Sequence, residues 1–200
     1  MAFLEVIVRT FGQRPWMLQR NLHSLTSQTD ADWRRTLVVD DAARGCAWAN
    51  ANLGTVVATG DYVWVLDDDD VCARATLVAE LKTIAHMERW PDVIMVRARH
   101  EKFGLLPNDG NWEQAPVRGN VGTSCYIVRR DVWNAHRMAW LERYDGDFWW
   151  IDHLWHEPGL RWHWHDVTAA WYPQQSVGAG EGPEVGRVGL VGRVGGDDAR

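Results

Sequence analysis

The run Tyr62-Val63-Trp64-Val65-Leu66 stops abruptly at four carboxylates, Asp67 to Asp70. An apolar run of this length and composition reads as a buried strand. Four adjacent negative charges repel one another, so a fold that gathers them carries a cost unless a cation compensates. Hard dications such as Mg²⁺ and Mn²⁺ take carboxylate oxygens and share their shell with phosphates. Acidic residues at the carboxyl end of a strand in an α/β sheet also lie where such sheets bind ligands. The segment therefore predicts a metal-assisted site for a phosphorylated ligand. The competing reading is a solvated acidic loop. An EF-hand loop fails, because twelve positions counted from Asp67 put Cys72 where Gly is needed and Val78 where Glu is needed.

Strand and helix signals alternate through the first ninety residues. Phe3 to Val8 reads as a strand, and a polar loop leads to Pro15 at a helix start. Leu18, Leu22 and Leu25 give that helix an apolar stripe over about 16–27. Arg35 to Asp40 is a second strand, and Gly45 to Leu53 a short Ala- and Asn-rich helix. The acidic strand is followed by a helix over about 73–88. This order predicts an α/β fold, a single domain with a central, mostly parallel sheet flanked by helices. Asp92 to Arg97, Thr123 to Arg129 and Arg161 to Val167 read as further strands, and 145–155 as a loop entering an aromatic helix. Residues 100–122 read as a long loop or small hairpin. The domain is expected to span 1–176, in two parts of about 1–99 and about 100–176. Residues 177–200 are expected to be a Gly-rich flexible tail. Its tandem segments, Val185 to Gly189 and Val191 to Gly195, are too few for a solenoid.

Fourteen tryptophans in 200 residues are the compositional oddity. A large indole-rich core is the expected use of most of them, with some rings left to line a cleft. The net charge of −6 argues against a broad phosphate-tracking surface. Cys46, Cys72 and Cys125 form no CxxC pair, which predicts a reducing, cytoplasmic setting. No apolar run approaches a membrane span, so membrane insertion is not expected.

The ordered motifs resemble the GT-A fold glycosyltransferases, specifically the family 2-like group, with small phage-type members among the similar proteins. The resemblance is carried by the first strand with its Thr10 to Pro15 loop, by Leu37 to Asp41, by Gly45 to Asn50, by Ala58 to Asp70 and by Gly122 to Trp133. It covers about residues 3–180 and implies a nucleotide-sugar-binding half over about 1–99 and an acceptor half over about 100–176. Asn50 stands where many members carry Arg. The segment through Asp70 is similar to that group's metal-binding DxD motif. The resemblance implies transfer of a sugar from a nucleotide-sugar, UDP being the commonest donor nucleotide, to an acceptor hydroxyl with inversion and with Mn²⁺ or Mg²⁺.

It also implies roles. Asp69 is the main metal ligand, and Asp67 contacts metal or donor ribose. Asp68 is an outer partner of the donor site, and Asp70 faces solvent or caps the next helix. Asp40, then Asp41, contacts the nucleobase or ribose, while Thr10 and Arg14 belong to the donor loop. Asp147 is the general base, with Asp145 and then Asp152 behind it. His165, or else His163, completes the metal shell; the two share one face of a strand.

Three other readings stay open at this level. The acceptor is a small molecule, a glycan, or hydroxymethylated pyrimidines in DNA. For DNA, Trp112, Trp149 and Trp150 would stack a flipped base, and Arg97, Arg99, His100, Lys102, Arg118, Arg129 and Arg130 would form a local basic face. A nucleotidyltransferase would want a Gly-rich first loop with Arg and Lys, and only Gly12 and Arg14 are present. A nucleotide-sugar-binding module without catalysis is the non-enzyme reading. A zinc site from His153, His156, His163 and His165 would leave the four aspartates unexplained. A dehydrogenase lacks its GxGxxG after the first strand.

Overall fold

The structure is a computed structural model that describes residues 2–173. The expected Gly-rich tail and its tandem segments lie outside the described residues. Eight strands form one sheet. They are β1 (Leu4–Thr10), β2 (Trp33–Val39), β3 (Tyr62–Asp67), β4 (Val71–Cys72), β5 (Val93–His100), β6 (Gly104–Leu106), β7 (Tyr126–Arg129) and β8 (Trp162–Tyr172). The five helices are α1 (Pro15–Thr26), α2 (Gly45–Leu53), α3 (Leu77–Met87), α4 (Arg130–His136) and α5 (Gly146–Trp155). The sheet order is β2-β1-β3-β7-β5-β8-β4, with β6 paired to β5.

β1 pairs in parallel with both β2 and β3. The chain moves from β1 outward to β2, then crosses back over β1 to β3. Right-handed crossovers in opposite directions put α1 and α2 on opposite faces. The order therefore reverses at β1, and the carboxyl ends of β1 and β3 flank the crevice where such sheets bind ligands. β7 enters antiparallel between β3 and β5, while β5 and β8 run parallel. Thr123 to Cys125, read as strand from sequence, are one 3₁₀ turn ahead of β7. β5 and β6 form the small hairpin that 100–122 allowed.

β1 and β3 are buried almost throughout because both faces are covered, and their sequences are correspondingly near-continuous apolar runs. Trp64, Trp133 and Trp150 are fully buried. Each indole N–H reaches a carbonyl: Ser124, Val56 and His136 respectively, all at 3.0 Å. Trp140 stacks on Trp150 at 4.9 Å between centroids. The tryptophans thus build core and rigid flank, as expected for most of them.

One buried carboxylate sets the entry to β3. Glu5 accepts from Thr59 N (2.7 Å), Gly60 N (2.8 Å) and Thr36 Oγ1 (2.5 Å). Burial alone would push its carboxyl up, but these donors hold it below the usual value. Gly60 is required by closeness: a Cβ there would lie 2.7 Å from Glu5 Cβ and 2.8 Å from Glu5 N. Gly60→Ala should cost about 1–3 kcal/mol of stability by overpacking, read as a lowered denaturant midpoint at constant slope.

Candidate functional site

A cleft of about 880 Å³ opens at the carboxyl ends of β1 and β3. Its lining includes Thr10, Arg14, Asp40, Asp67, Asp68, Asp69, Asp145 and Asp147, so most of the expected site residues are brought together. Arg9, Asp70, His100 and Tyr172 also line it. No tryptophan does; the aromatic lining is Phe11, Phe103, Tyr144, Phe148 and Tyr172.

The acidic turn is clamped from α1. Arg20 donates to the Asp69 carbonyl at 2.6 Å, and Asn21 Nδ2 donates to the carbonyls of Asp67 (2.9 Å) and Asp70 (3.1 Å). Ser24 Oγ accepts from Cys72 N at 2.9 Å, and Gln28 Nε2 donates to the Arg74 carbonyl at 2.7 Å. This polar face adjoins the buried stripe Met17, Asn21 and Leu25. Its task is to fix the backbone on which the carboxylates are mounted.

Two guanidinium groups meet the carboxylates. Arg9, on β1, holds both oxygens of Asp67 at 2.6 and 2.8 Å, and its third arm donates to Asn50 Oδ1 at 2.5 Å. Asn50 in turn donates to the carbonyls of Arg143 and Tyr144. A guanidinium is thus present beside Asn50, supplied by the neighbouring strand rather than by α2. Burial lowers the Arg9 pKa, but the Asp67 charge more than reverses this, and the group stays charged. Arg14 donates to Asp68 Oδ1 at 2.7 Å and to Asp69 Oδ2 at 2.9 Å. Thr10 Oγ1 donates to Asp68 Oδ2 at 2.5 Å and accepts from Gly12 N.

These pairs leave the acidic turn under-compensated. Asp67, Asp69 and Asp70 each present an oxygen, and the three atoms lie within 4.8 Å of one another. Asp70 is buried rather than facing solvent or capping a helix. Burial first, then the charges of Asp69 and Asp67, push its carboxyl well above the usual range. Burial likewise raises Asp40, Asp68 and Asp69. A set of oxygen donors gathered in this way fits a hard dication. Charge repulsion that the turn does not relieve internally is what such an ion removes. Arg9→Met would leave Asp67 facing three other carboxylates without its partner. The expected cost is roughly 1–3 kcal/mol, measured by chemical denaturation in EDTA.

The carboxylates on α5 divide. Asp145, at the helix N-cap position, is engaged by Trp149 Nε1 (3.1 Å), Arg118 (2.6 Å) and Arg143 (3.3 Å). Burial would raise its pKa, but these partners bring it below the usual value. Asp147, in the first turn, accepts the N–H of Phe148, at 2.8 Å. Burial lifts it to about 6, opposed by Arg9 and aided by Asp67. The surroundings thus favour the ionised form of Asp145 and raise Asp147 toward neutrality.

Four expected residues fall elsewhere. Asp41 is exposed and caps the turn before α2, accepting from Ala43 N at 2.9 Å. His165 Nε2 lies 2.9 Å from Glu80 Oε2 and ties β8 to α3. His163, also on β8, does not line the cleft. Asp152 is likewise outside it, beside His156. The histidine at the cleft is His100, whose Nδ1 accepts from Lys102 N (2.9 Å) and Phe103 N (3.2 Å). That leaves Nε2 to carry the ring proton, so His100 is a hydrogen-bond donor rather than a metal ligand. Sequence reasoning missed Arg9, weighed His100 only as part of a basic face toward DNA, and misplaced Asp70. The signal for Arg9 was a basic residue at the end of the apolar run Val6 to Val8.

The proposed DNA-facing groups are largely spent on the protein itself. Trp150 is core, and Trp112 packs on Arg97 at 4.2 Å. Arg97 is only 5% exposed and bound to Asp166 and Asp109. Arg129 is paired with Asp92 and Asp131.

No protein-family model matches the chain, and no curated protein matches it in sequence. Solved structures do match. S. aureus TarS 1–349 superposes with a TM-score of 0.61 at 14% identity, covering 86% of this chain and 60% of that one. The same TarS segment in complex with UDP gives 0.61 at 13% identity with the same coverage. The mannosyltransferase PcManGT from Pyrobaculum calidifontis, in complex with GDP-Man and Mn²⁺, gives 0.58 at 17% identity, covering 87% of this chain and 58% of that one. The chain thus spans about three-fifths of the length of these proteins. The likeness establishes the fold, the GT-A fold that the motif order implied.

Proposed function

We propose that this chain transfers a sugar from a nucleotide-sugar, with UDP as the donor nucleotide, to an acceptor hydroxyl, assisted by Mn²⁺ or Mg²⁺. One observation carries the reading. The Asp67, Asp69 and Asp70 cluster shares a cleft with Asp147, close enough that the Asp67 charge acts on it. TarS complexes with UDP and UDP-GlcNAc, and a mannosyltransferase complex with GDP-Man and Mn²⁺, lend support from the shared fold.

Asp69 and Asp70 would hold the dication, with Asp67 oriented beside them by Arg9. When bound, the ion supplies Lewis-acid stabilisation of the charge that builds on the departing diphosphate. Asp40 accepts from Asn52 on one oxygen and keeps the other for the ribose or nucleobase. Arg14 and Thr10 shape the acidic turn through Asp68. Asp147 takes the acceptor proton as the acceptor oxygen bonds to the sugar carbon and the bond to the diphosphate breaks, inverting that carbon. Lys102, Phe103 and Tyr144 line the cleft, with Phe103 and Tyr144 exposed, and would meet the acceptor; because Arg97 and Arg129, weighed for DNA, are paired within the protein, a glycan or small hydroxyl compound is the favoured acceptor.

The test is nucleotide release from UDP-glucose, UDP-galactose, UDP-N-acetylglucosamine and GDP-mannose. It is run with Mn²⁺ or EDTA, and with glycans or hydroxymethylated DNA as acceptor. Mn²⁺-dependent release of UDP is the expected result. Release from GDP-mannose alone would overturn the UDP assignment, and release only with DNA the glycan assignment. Tight donor binding without release under any condition would make the chain a binding module.

A further inference from the structure

A second cluster of metal-ligating side chains lies away from the cleft. His136 ends α4, His153 lies on α5, and Glu157 follows one turn later. One donor atom from each lies within 4.8 Å of the other two. His136 Nδ1 and His153 Nε2 are 3.0 Å apart, with ring centroids at 5.2 Å. None of the three lines the cleft.

We propose that His136, His153 and Glu157 form a zinc site that staples α4 to α5. The chemistry of the donor set separates it from the acidic turn. Two imidazole nitrogens and one carboxylate suit a borderline ion such as Zn²⁺, whereas an all-oxygen set suits Mg²⁺ or Mn²⁺. Tetrahedral coordination at about 2.0–2.1 Å puts neighbouring donor nitrogens a little over 3 Å apart. The two imidazoles already stand at that spacing, so their mutual hydrogen bond is replaced with little movement. Glu157, four residues after His153, lies just past the end of α5 in the turn that closes the helix. Glu157 N donates to the Leu154 carbonyl at 3.1 Å, which extends the helical turn to this ligand. The third ligand is held on a stiff frame. Trp150 Nε1 bonds the His136 carbonyl, and Trp150 stacks on Trp140 beneath it. The fourth position is left to water.

The four histidines weighed from sequence do not assemble. His165 is on Glu80, and His156 is beside Asp152. Only His153 of that set belongs here, with two partners that spacing alone could not show.

α5 also carries Asp147 and Asp145 at its other end. A staple between α4 and α5 would therefore hold the helix that presents the proposed base, while remaining independent of sugar transfer for its own test. That test is zinc chloride titrated calorimetrically into the Asp69→Ala protein, so that the acidic turn does not compete. The expected result is one equivalent of Zn²⁺ bound with micromolar or tighter affinity. Thermal unfolding should rise by roughly 5 °C or more at a hundredfold excess over Kd. His153→Ala and Glu157→Gln, made separately in the same background, should each weaken binding at least about tenfold. Co²⁺ in place of Zn²⁺ should give the intense visible bands of a tetrahedral site in the parent and lose them in both variants. Saturable binding unchanged in His153→Ala, or no saturable binding in the parent, overturns the site. Both variants are exposed or partly exposed positions, so unchanged unfolding without zinc confirms that they fold.

Discussion

Asp147→Asn is expected to lower kcat by roughly 10²–10⁴ while leaving donor affinity within about twofold. The amide keeps the shape of the side chain and its place at the start of α5 but cannot take a proton. Asp147 is hydrogen-bonded to Phe148 N, while Arg9 and Arg14 are hydrogen-bonded to the acidic turn, so donor binding should survive. The pH profile gives the same residue a second signature. The carboxyl titrates at about 6, so it is protonated and idle below that value. In the wild type kcat/KM should fall tenfold per pH unit on the acid side and level off above. A bound dication adds positive charge nearby and moves the limb lower. The limb should vanish in the variant. Stability carries the opposite sign. A carboxyl whose pKa is raised by folding adds stability below its unfolded value, and that contribution is lost as pH rises through about 6. At pH 7.5 the Asn variant should therefore unfold at the same temperature as the wild type or higher.

Asp69→Ala should abolish metal-dependent donor binding, weakening it at least about 100-fold, and reduce turnover accordingly. The fold should survive, because Arg14 keeps its 2.7 Å bond to Asp68 and Arg20 bonds the backbone at this position. Removing one carboxylate from beside Asp67 and Asp70 relieves repulsion, so stability in EDTA should hold or rise. Asp70→Asn offers the isosteric comparison. Its carboxyl is already pushed well up by burial and by its acidic neighbours, so the neutral amide should be tolerated without metal. It should still lose Mn²⁺ affinity. A variant pair that keeps full Mn²⁺-dependent binding would move the ion away from this turn.

The parallel half of the fold was legible in sequence because its determinants are local. Apolar runs at β1 and β3 and the Pro15 helix start fall within windows of ten residues. β4 and the late part of β8 were not visible, since they are defined by pairing with each other across about a hundred residues and, for β8, with the end of β5. The acidic turn was found, but the division of labour within it was not. Asp70 is buried because Asn21 and Arg20 pull the turn onto α1, a contact with no sequence pattern. Asp67 is held by Arg9 because β1 and β3 are neighbours, with Arg9 directly across from Asp67. The resemblance ranked Asp147 ahead of Asp145, but the difference between them is set by the partners of Asp145: Arg118 from a distant loop, with Arg143 and Trp149 from nearby in the chain. His165 and His163 share a strand face as expected, yet that strand end is turned toward α3 and Glu80. Alternation told which side chains share a face and could not tell what that face meets.

The proposed chemistry turns on a dication held by the acidic turn against a nucleoside diphosphate. The most direct measurement is anomalous scattering from crystals grown with Mn²⁺ and UDP. A manganese peak is expected at roughly 2.1–2.3 Å from carboxylate oxygens of Asp69 and Asp70, with a diphosphate oxygen completing the contact. UDP ordered in the cleft with no peak at that turn, or a peak only at His136 and His153, would contradict it.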